Sequence, residues 1–254
     1  MKVVILAGGF GTRLSEYTES IPKPMVTVGG KPILWHIMNS YAKAGFNEFI
    51  LALGFKADSI KQYFDSLKLM DSDATIDFAE GATIHHSEET CDWKVTMVDT
   101  GLESMTGGRL GRLRNYLADE PFMLTYGDGL SDVPLQDLLD FHQAHGKKAT
   151  ITAVRPVARF GELRIEGTLV TCFREKPQVT QSWINGGFFV FQPEVLDLIS
   201  GDETVLEKEP LEQLAKEGEL MAYKHEGFWQ CMDTKRDRDF LEDLWISGQA
   251  VWAT

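Results

Sequence analysis

The chain has 254 residues, 38 of them acidic and 25 basic, and the formal net charge of −13 argues against nucleic acid or an anionic membrane as partner, since both attract basic surfaces. That length can bury one sizeable core with room for an insertion, so a single catalytic domain over 1–254 is expected. Cys91, Cys172 and Cys231 are widely spaced with no Cys-x-x-Cys pair, which fits a reducing cytoplasm better than a disulfide framework or zinc knuckle. The N-terminus enters a strand directly, leaving no signal peptide, and no apolar run approaches the ~20 residues that span a bilayer.

Val3 to Leu6 is a short apolar run suited to a strand buried on both faces. It feeds Leu6-Ala7-Gly8-Gly9-Phe10-Gly11-Thr12-Arg13-Leu14, where Gly8, Gly9 and Gly11 let the backbone approach a ligand and turn successive N–H groups toward phosphate oxygens. Arg13 adds a planar, permanently charged fork, and the whole reads as a triphosphate site. Two familiar alternatives fail. Leu14 stands where a dinucleotide fingerprint needs its third glycine, and no Gly-Lys-Ser/Thr ends the turn as in a Walker loop. Lys23, in Ile21-Pro22-Lys23-Pro24-Met25, follows within reach of the turn. Its two prolines predict an extended chain that presents the lysine rather than packing it.

Pro32 is predicted at the first position of a helix striped by Ile33, Ile37, Met38 and Tyr41 and closed by Gly45. Phe49 to Leu53 reads as a second buried strand, Ile60, Tyr63, Phe64 and Leu67 as a helix, and Val95, Met97 and Val98 as a strand. Between these, Asp71 to Asp92 is polar. Its adjacent His85 and His86 point in different directions and match no zinc spacing, so an exposed hairpin or an oligomer contact is expected there. Ser104-Met105-Thr106-Gly107-Gly108-Arg109 offers hydroxyls and N–H groups ahead of a helix over Gly108 to Leu117, a setting that suits a nucleotide. Phe122 to Thr125 is a strand ending in Tyr126-Gly127-Asp128-Gly129. Asp128 therefore stands at the carboxyl end of a strand, where open α/β sheets bind ligands, and two flanking glycines leave it clear to hold a metal. Leu135, Leu138, Leu139 and His142 mark another helix.

Farther on, Ala149 to Val154, Leu163 to Ile165, Leu169 to Phe173 and Gly187 to Phe191 are short β-like runs. Helical patterns follow at Val195 to Ile199 and Leu206 to Lys216, then a strand at Leu220 to Lys224 and a closing helix at Lys235 to Ile246. The pattern predicts an α/β fold: a Rossmann-like, mostly parallel central sheet with helices on both faces and a mixed-sheet extension in the second half. Glu175-Lys176-Pro177 ends one β-like run and projects Lys176 at the sheet edge. Trp183-Ile184-Asn185-Gly186-Gly187-Phe188 is a glycine turn able to bring backbone close to a sugar while Asn185 bonds hydroxyls. Asp233, which ends the run Phe228-Trp229-Gln230-Cys231-Met232 before a helix, reads by itself either as an N-cap or as a second carboxylate for Mg²⁺.

Together these segments resemble the sugar-1-phosphate nucleotidyltransferases over essentially the whole chain. Gly8 to Leu14 with Pro22-Lys23-Pro24 looks like that superfamily's signature, and Glu175-Lys176-Pro177 like its sugar-phosphate motif. Thr100-Gly101 with Ser104 to Leu110, Trp183 to Phe189, and Gly227 to Gln230 with Met232-Asp233-Thr234 are similar to its cytidylyl-transferring branch. Gly111, where a basic residue is expected, and Cys231, where proline is common, depart from that pattern.

The resemblance implies transfer of a cytidylyl group from CTP to α-D-glucose 1-phosphate, giving CDP-glucose and pyrophosphate, with Mg²⁺ held by Asp128 and Asp233. It implies catalytic roles for Arg13, Lys23 and Asp128. Nucleotide contacts are implied at Leu6, Ala7, Gly8, Gly9, Gly11, Thr12, Arg13, Lys23, Ser104, Thr106, Gly107, Gly108, Arg109, Gly127 and Asp128, and sugar-phosphate contacts at Gly161, Glu175, Lys176, Asn185 and Gly186. A homo-oligomer, a hexamer, is also implied. Such chemistry needs no general base, because a phosphate monoester is already a competent nucleophile, which accords with the missing histidine-centred triad.

Overall fold

A computed structural model describes residues 1–70, 73–86, 91–117, 119–156, 162–166, 168–174 and 182–253. The strands that position the site are β1 (Lys2–Leu6), β2 (Glu48–Leu53), β3 (Lys94–Asp99), β4 (Phe122–Tyr126), β5 (Gly129–Ser131), β6 (Ala149–Val154), β7 (Ile184–Phe191), β8 (Leu220–His225) and β9 (Trp229–Cys231). Seven of them form one sheet in the order β8, β6, β7, β4, β1, β2, β3. β7 runs antiparallel to both its neighbours, whereas every other pair in that sheet is parallel. The mostly parallel sheet and its mixed extension in the second half are thus as the sequence predicts.

Alternation along the central strands divides the core in two. Val3, Ile5, Phe49, Leu51, Leu53 and Met123 face one apolar cluster, and Val4, Leu6, Ile50, Ala52, Phe122 and Leu124 face the other. Both sides are covered, which is why these strands read as unbroken apolar runs. Helix α1 (Ile33–Lys43), with α4 (Leu135–His145) and α6 (Lys235–Ile246), packs on the first cluster. On the second lie α3 (Thr106–Gly111), the turn Arg114–Leu117 and α5 (Glu209–Lys216). Helix α2 (Ala57–Met70) follows β2, with Ile60 buried in the first cluster.

Several boundaries differ from expectation for identifiable reasons. Pro32 is the N-cap of α1 rather than its first residue, with φ −56° and ψ 147°. The helix expected over 108–117 starts at Thr106 and breaks after Gly111; three glycines in that stretch favour close backbone packing over a long helix. Val195 to Ile199 becomes a 3₁₀ turn, Pro193–Leu198. α5 begins at Glu209, not Leu206, because Pro210 has no N–H to donate and belongs in a first turn. Among the described residues the runs near Leu163 and Leu169 pair with each other, Glu162–Glu166 against Leu169–Arg174, as a two-stranded sheet separate from the seven-stranded one. Within 71–92 the described residues form the exposed hairpin Ala74–Asp77 and Ala82–His85.

Candidate active site

β1 ends at the edge where β2, β3, β4, β6 and β8 also end, and the glycine turn leaves β1 there. Its entry is tightly seated. The Gly127 N–H donates to Leu6 O at 3.1 Å, Ala7 N–H to Ala52 O at 3.0 Å, and Phe55 N–H to Gly8 O at 3.0 Å. A Cβ on Gly127 would lie 2.9 Å from Leu6 O, so only glycine lets β4 leave so close to β1. Gly11 has φ +64°, and a Cβ there would stand 3.0 Å from Cβ of Lys23, which packs the turn directly on the lysine. Gly9 is exposed with open space around it. Thr12 and Arg13 follow on the short turn Thr12–Leu14. The side chain of Arg13, and Gly161, Glu175 and Lys176 entirely, lie outside the described residues.

Lys23 is not held extended. Lys23–Met25 forms a 3₁₀ turn after an extended Pro22, and the lysine side chain is only 11% exposed. Its ammonium donates to Asp128 Oδ2 at 2.6 Å and to Asp233 Oδ1 at 2.7 Å, so the lysine is packed rather than presented. Burial disfavours its charge, but Asp128 and Asp233 more than offset this and the net shift is upward.

A two-stranded ribbon brings the carboxylates together. β5 pairs antiparallel with β9, Gly129 opposite Cys231 and Ser131 opposite Trp229, with Asp128 just before one strand and Asp233 shortly after the other. The Met232 N–H closes the ribbon onto Asp128 O at 2.8 Å. Thr234, not Asp233, is the N-cap of α6, in a capping box with Asp237. That leaves the Asp233 carboxylate to Lys23. Its other oxygen accepts from the Cys231 thiol at 3.4 Å, and burial together with the charges of Asp233 and Asp128 pushes that thiol up to about 12.

The pair fits a hard divalent cation: two carboxylates meet at one point, and an ammonium already stands between them as a cation of the same sign. No cluster of three or more acidic, histidine or cysteine side chains suited to a metal occurs among the described residues. The remaining positions would fall to phosphate and water, as Mg²⁺ prefers.

Arg109 lies beneath the glycine turn, 5% exposed. Its guanidinium donates to Leu53 O, Thr100 Oγ1, Gly101 O and Leu102 O at 3.2, 3.0, 2.7 and 3.1 Å. Gly107 and Gly108 are pressed against the backbone of Thr204 and Asp202, where Cβ atoms would come within 2.7 and 2.2 Å of carbonyl oxygens. Ser104 is buried beside them. On the opposite side of the site, Asn185 donates from Nδ2 to the Tyr126 hydroxyl at 3.1 Å and accepts at Oδ1 from the Gly187 N–H at 2.8 Å. Gly187 takes φ +79° because the Tyr126 ring fills the place of a side chain, 2.5 Å from a Cβ there. The Gly186 carbonyl accepts from the Trp229 indole at 2.7 Å, joining this turn to the ribbon of β5 and β9.

Sequence reasoning missed Glu207. It stands on the turn before α5 and accepts from Tyr126 Oη at 2.5 Å and Thr106 Oγ1 at 2.6 Å. Glu203, Glu209 and Glu212 surround it in sequence, so nothing in the pattern marks this one as inward-facing.

A glycine turn, a lysine and two carboxylates thus gather at the carboxyl edge of a mostly parallel sheet, and residues 2–242 match the nucleotidyl transferase family, to which the chain belongs. A glucose-1-phosphate cytidylyltransferase of Salmonella typhi is 54% identical over 100% of this chain and 99% of its own length. A probable glucose-1-phosphate cytidylyltransferase of Bacillus subtilis is 45% identical over 99% of each. Among solved structures, HddC from Yersinia pseudotuberculosis superposes with a TM-score of 0.71 at 25% identity, over 96% of this chain and 99% of its own. A UDP-glucose pyrophosphorylase complexed with UDP-glucose shares the fold, with a TM-score of 0.69 at 19% identity over 97% and 98%.

Proposed function

We propose that this protein transfers the cytidylyl group of CTP to α-D-glucose 1-phosphate. A phosphate oxygen of the sugar phosphate attacks the α-phosphorus of CTP, the bond to the β-phosphate breaks, and CDP-glucose and pyrophosphate leave. The observation that carries this reading is the meeting of Lys23, Asp128 and Asp233 against the Gly11 turn, in a chain so similar along its whole length to a glucose-1-phosphate cytidylyltransferase.

Asp128 and Asp233 would hold Mg²⁺, which when bound supplies positive charge at the reacting phosphates. Lys23 stabilises charge at the attacked phosphate, and Arg13 holds the departing pyrophosphate. Backbone N–H groups from Gly8 to Thr12 take the triphosphate, and the 104–109 segment walls the nucleotide, with Arg109 bracing the turn from below. Glu175, Lys176 and Gly161 with Asn185 and Gly186 receive the sugar phosphate. No side chain has to remove a proton from the nucleophile, so positioning and charge neutralisation carry the catalysis.

We also read 1–254 as one catalytic domain that works in the cytoplasm as a homo-oligomer, a hexamer by resemblance. Its three cysteines are outside any disulfide, no described helix is long and apolar enough to cross a membrane, and the 74–85 hairpin exposes Ile76, Phe78 and Ile84. Sedimentation would test the assembly. The activity is tested by pyrophosphate release from each nucleoside triphosphate with several sugar 1-phosphates. CTP with glucose 1-phosphate is the expected best pair, and a higher kcat/KM with UTP or dTTP would reject cytidylyl transfer while leaving nucleotidyl transfer intact.

A further inference from the structure

We propose that Glu207 is a positioning residue that fixes the amide orientation of Asn185 through Tyr126 and ties it to the start of α3 at Thr106. The inference rests on the reading above, in which Asn185 meets the sugar.

A carboxylate only accepts hydrogen bonds, so both hydroxyls facing Glu207 must direct their protons to it. Tyr126 Oη does so at 2.5 Å and Thr106 Oγ1 at 2.6 Å. With its proton committed, the Tyr126 oxygen can only accept from Asn185, 3.1 Å away. The amide therefore turns its NH₂ to Tyr126, and its Oδ1 takes the Gly187 N–H at 2.8 Å. Both ends of the amide are assigned, and the second Nδ2 hydrogen and second Oδ1 lone pair are left in a defined direction for sugar hydroxyls. Burial and the neighbouring Glu207 charge raise the Tyr126 pKa far above its ordinary value, so the phenol remains a donor throughout the working pH range.

The other arm is equally directional. Thr106 Oγ1 accepts from the Leu206 N–H at 3.0 Å while donating to Glu207. One acidic side chain thus joins the nucleotide wall at Thr106 to the sugar turn at Asn185. A glutamine at 207 could not serve both hydroxyls: its NH₂ would face one of two donors, leaving that hydroxyl without an acceptor.

The test is the steady-state kinetics of Glu207→Gln, Tyr126→Phe and the double variant, on the substrate pair the parental protein uses best. A different nucleotide or sugar preference in the parental protein would thereby count against the assigned reaction and would leave this comparison in place. Each single variant is expected to raise KM for the sugar phosphate about tenfold with KM for the nucleotide changed less than about twofold, and the double variant to be no worse than either single one. Equal rises in both KM values, a double variant near a hundredfold, or a fall in thermal midpoint with unchanged KM would overturn the proposal. Tyr126→Phe removes a single oxygen, so the comparison stands even if Glu207→Gln folds poorly.

Discussion

Gly8 and Arg109 interlock: a Cβ on Gly8 would lie 2.2 Å from Nη1 of the arginine. Gly54 makes the same space from the other side, at 2.3 Å. The guanidinium is held by carbonyls from Leu53, Gly101 and Leu102, so it cannot retreat without leaving buried donors and acceptors unpaired. Gly8→Ala is expected to cost about 2 kcal/mol of stability through that loss. Gly9→Ala, with open space around it, should leave the thermal midpoint within about a degree of the parent. Thermal melts of the two variants check this, and equal midpoints would show that the arginine yields freely.

Asp128→Asn and Asp233→Asn each remove one of the two charges that meet at Lys23. Turnover is expected to fall on the order of 10²-fold or more, with the greatest deficit at limiting Mg²⁺, while the shape of the side chain is kept. Titrating Mg²⁺ against rate for both variants checks the pairing. An effect confined to one of them would mean that the other carboxylate serves only the lysine.

Much of this site was legible in the sequence, because the residues concerned sit at strand ends with glycines beside them. Gly8 to Arg13 and Asp128 stand out in the sequence that way, and the sheet is legible because buried parallel strands leave unbroken apolar runs. Asp233 is ambiguous in the sequence, since an acidic residue just before a helix can serve as its N-cap. Thr234 takes the cap itself, which rules out that reading and leaves the Asp233 carboxylate paired with Lys23. Lys23 was misjudged as extended because two prolines restrict φ without saying what the lysine will pair with. Glu207 was invisible: its partners Tyr126 and Thr106 lie 81 and 101 residues away, a relationship no local spacing encodes.

His142 gives the fold an acid sensitivity of its own. It is fully buried, bonds Thr150 Oγ1 at 2.9 Å through Nδ1, and burial followed by the nearby His145 lowers it to about 4. A depressed histidine pKa means that the unfolded chain takes up the proton first as pH falls. The stability from neutral His142 is therefore complete above about pH 6.5 and is lost between there and about 4, on the order of 2–3 kcal/mol. Urea unfolding at several pH values should show a shallower decline for His142→Gln than for the parent. Parallel curves would remove His142 from the account.

Cys231, with its thiol held near 12, is expected to resist alkylation. At pH 8 its thiolate fraction is on the order of one in 10⁴, whereas Cys91 is exposed to reagent. Mass spectrometry after brief iodoacetamide treatment should find Cys91 modified well before Cys231, and all three cysteines modified after denaturation. Early labelling of Cys231 in the folded protein would contradict its burial beside Asp233.

The ribbon of β5 and β9 has a consequence for truncation. A chain shortened to His225 would still contain every strand of the seven-stranded sheet, but it would carry one of the two carboxylates that meet at Lys23 instead of both. It also lacks Met232, Leu241 and Trp252, the buried side chains that finish one face of the core. Loss of the segment after His225 would thus spare the strands of the sheet while removing β9, the strand that brings Asp233 to Lys23.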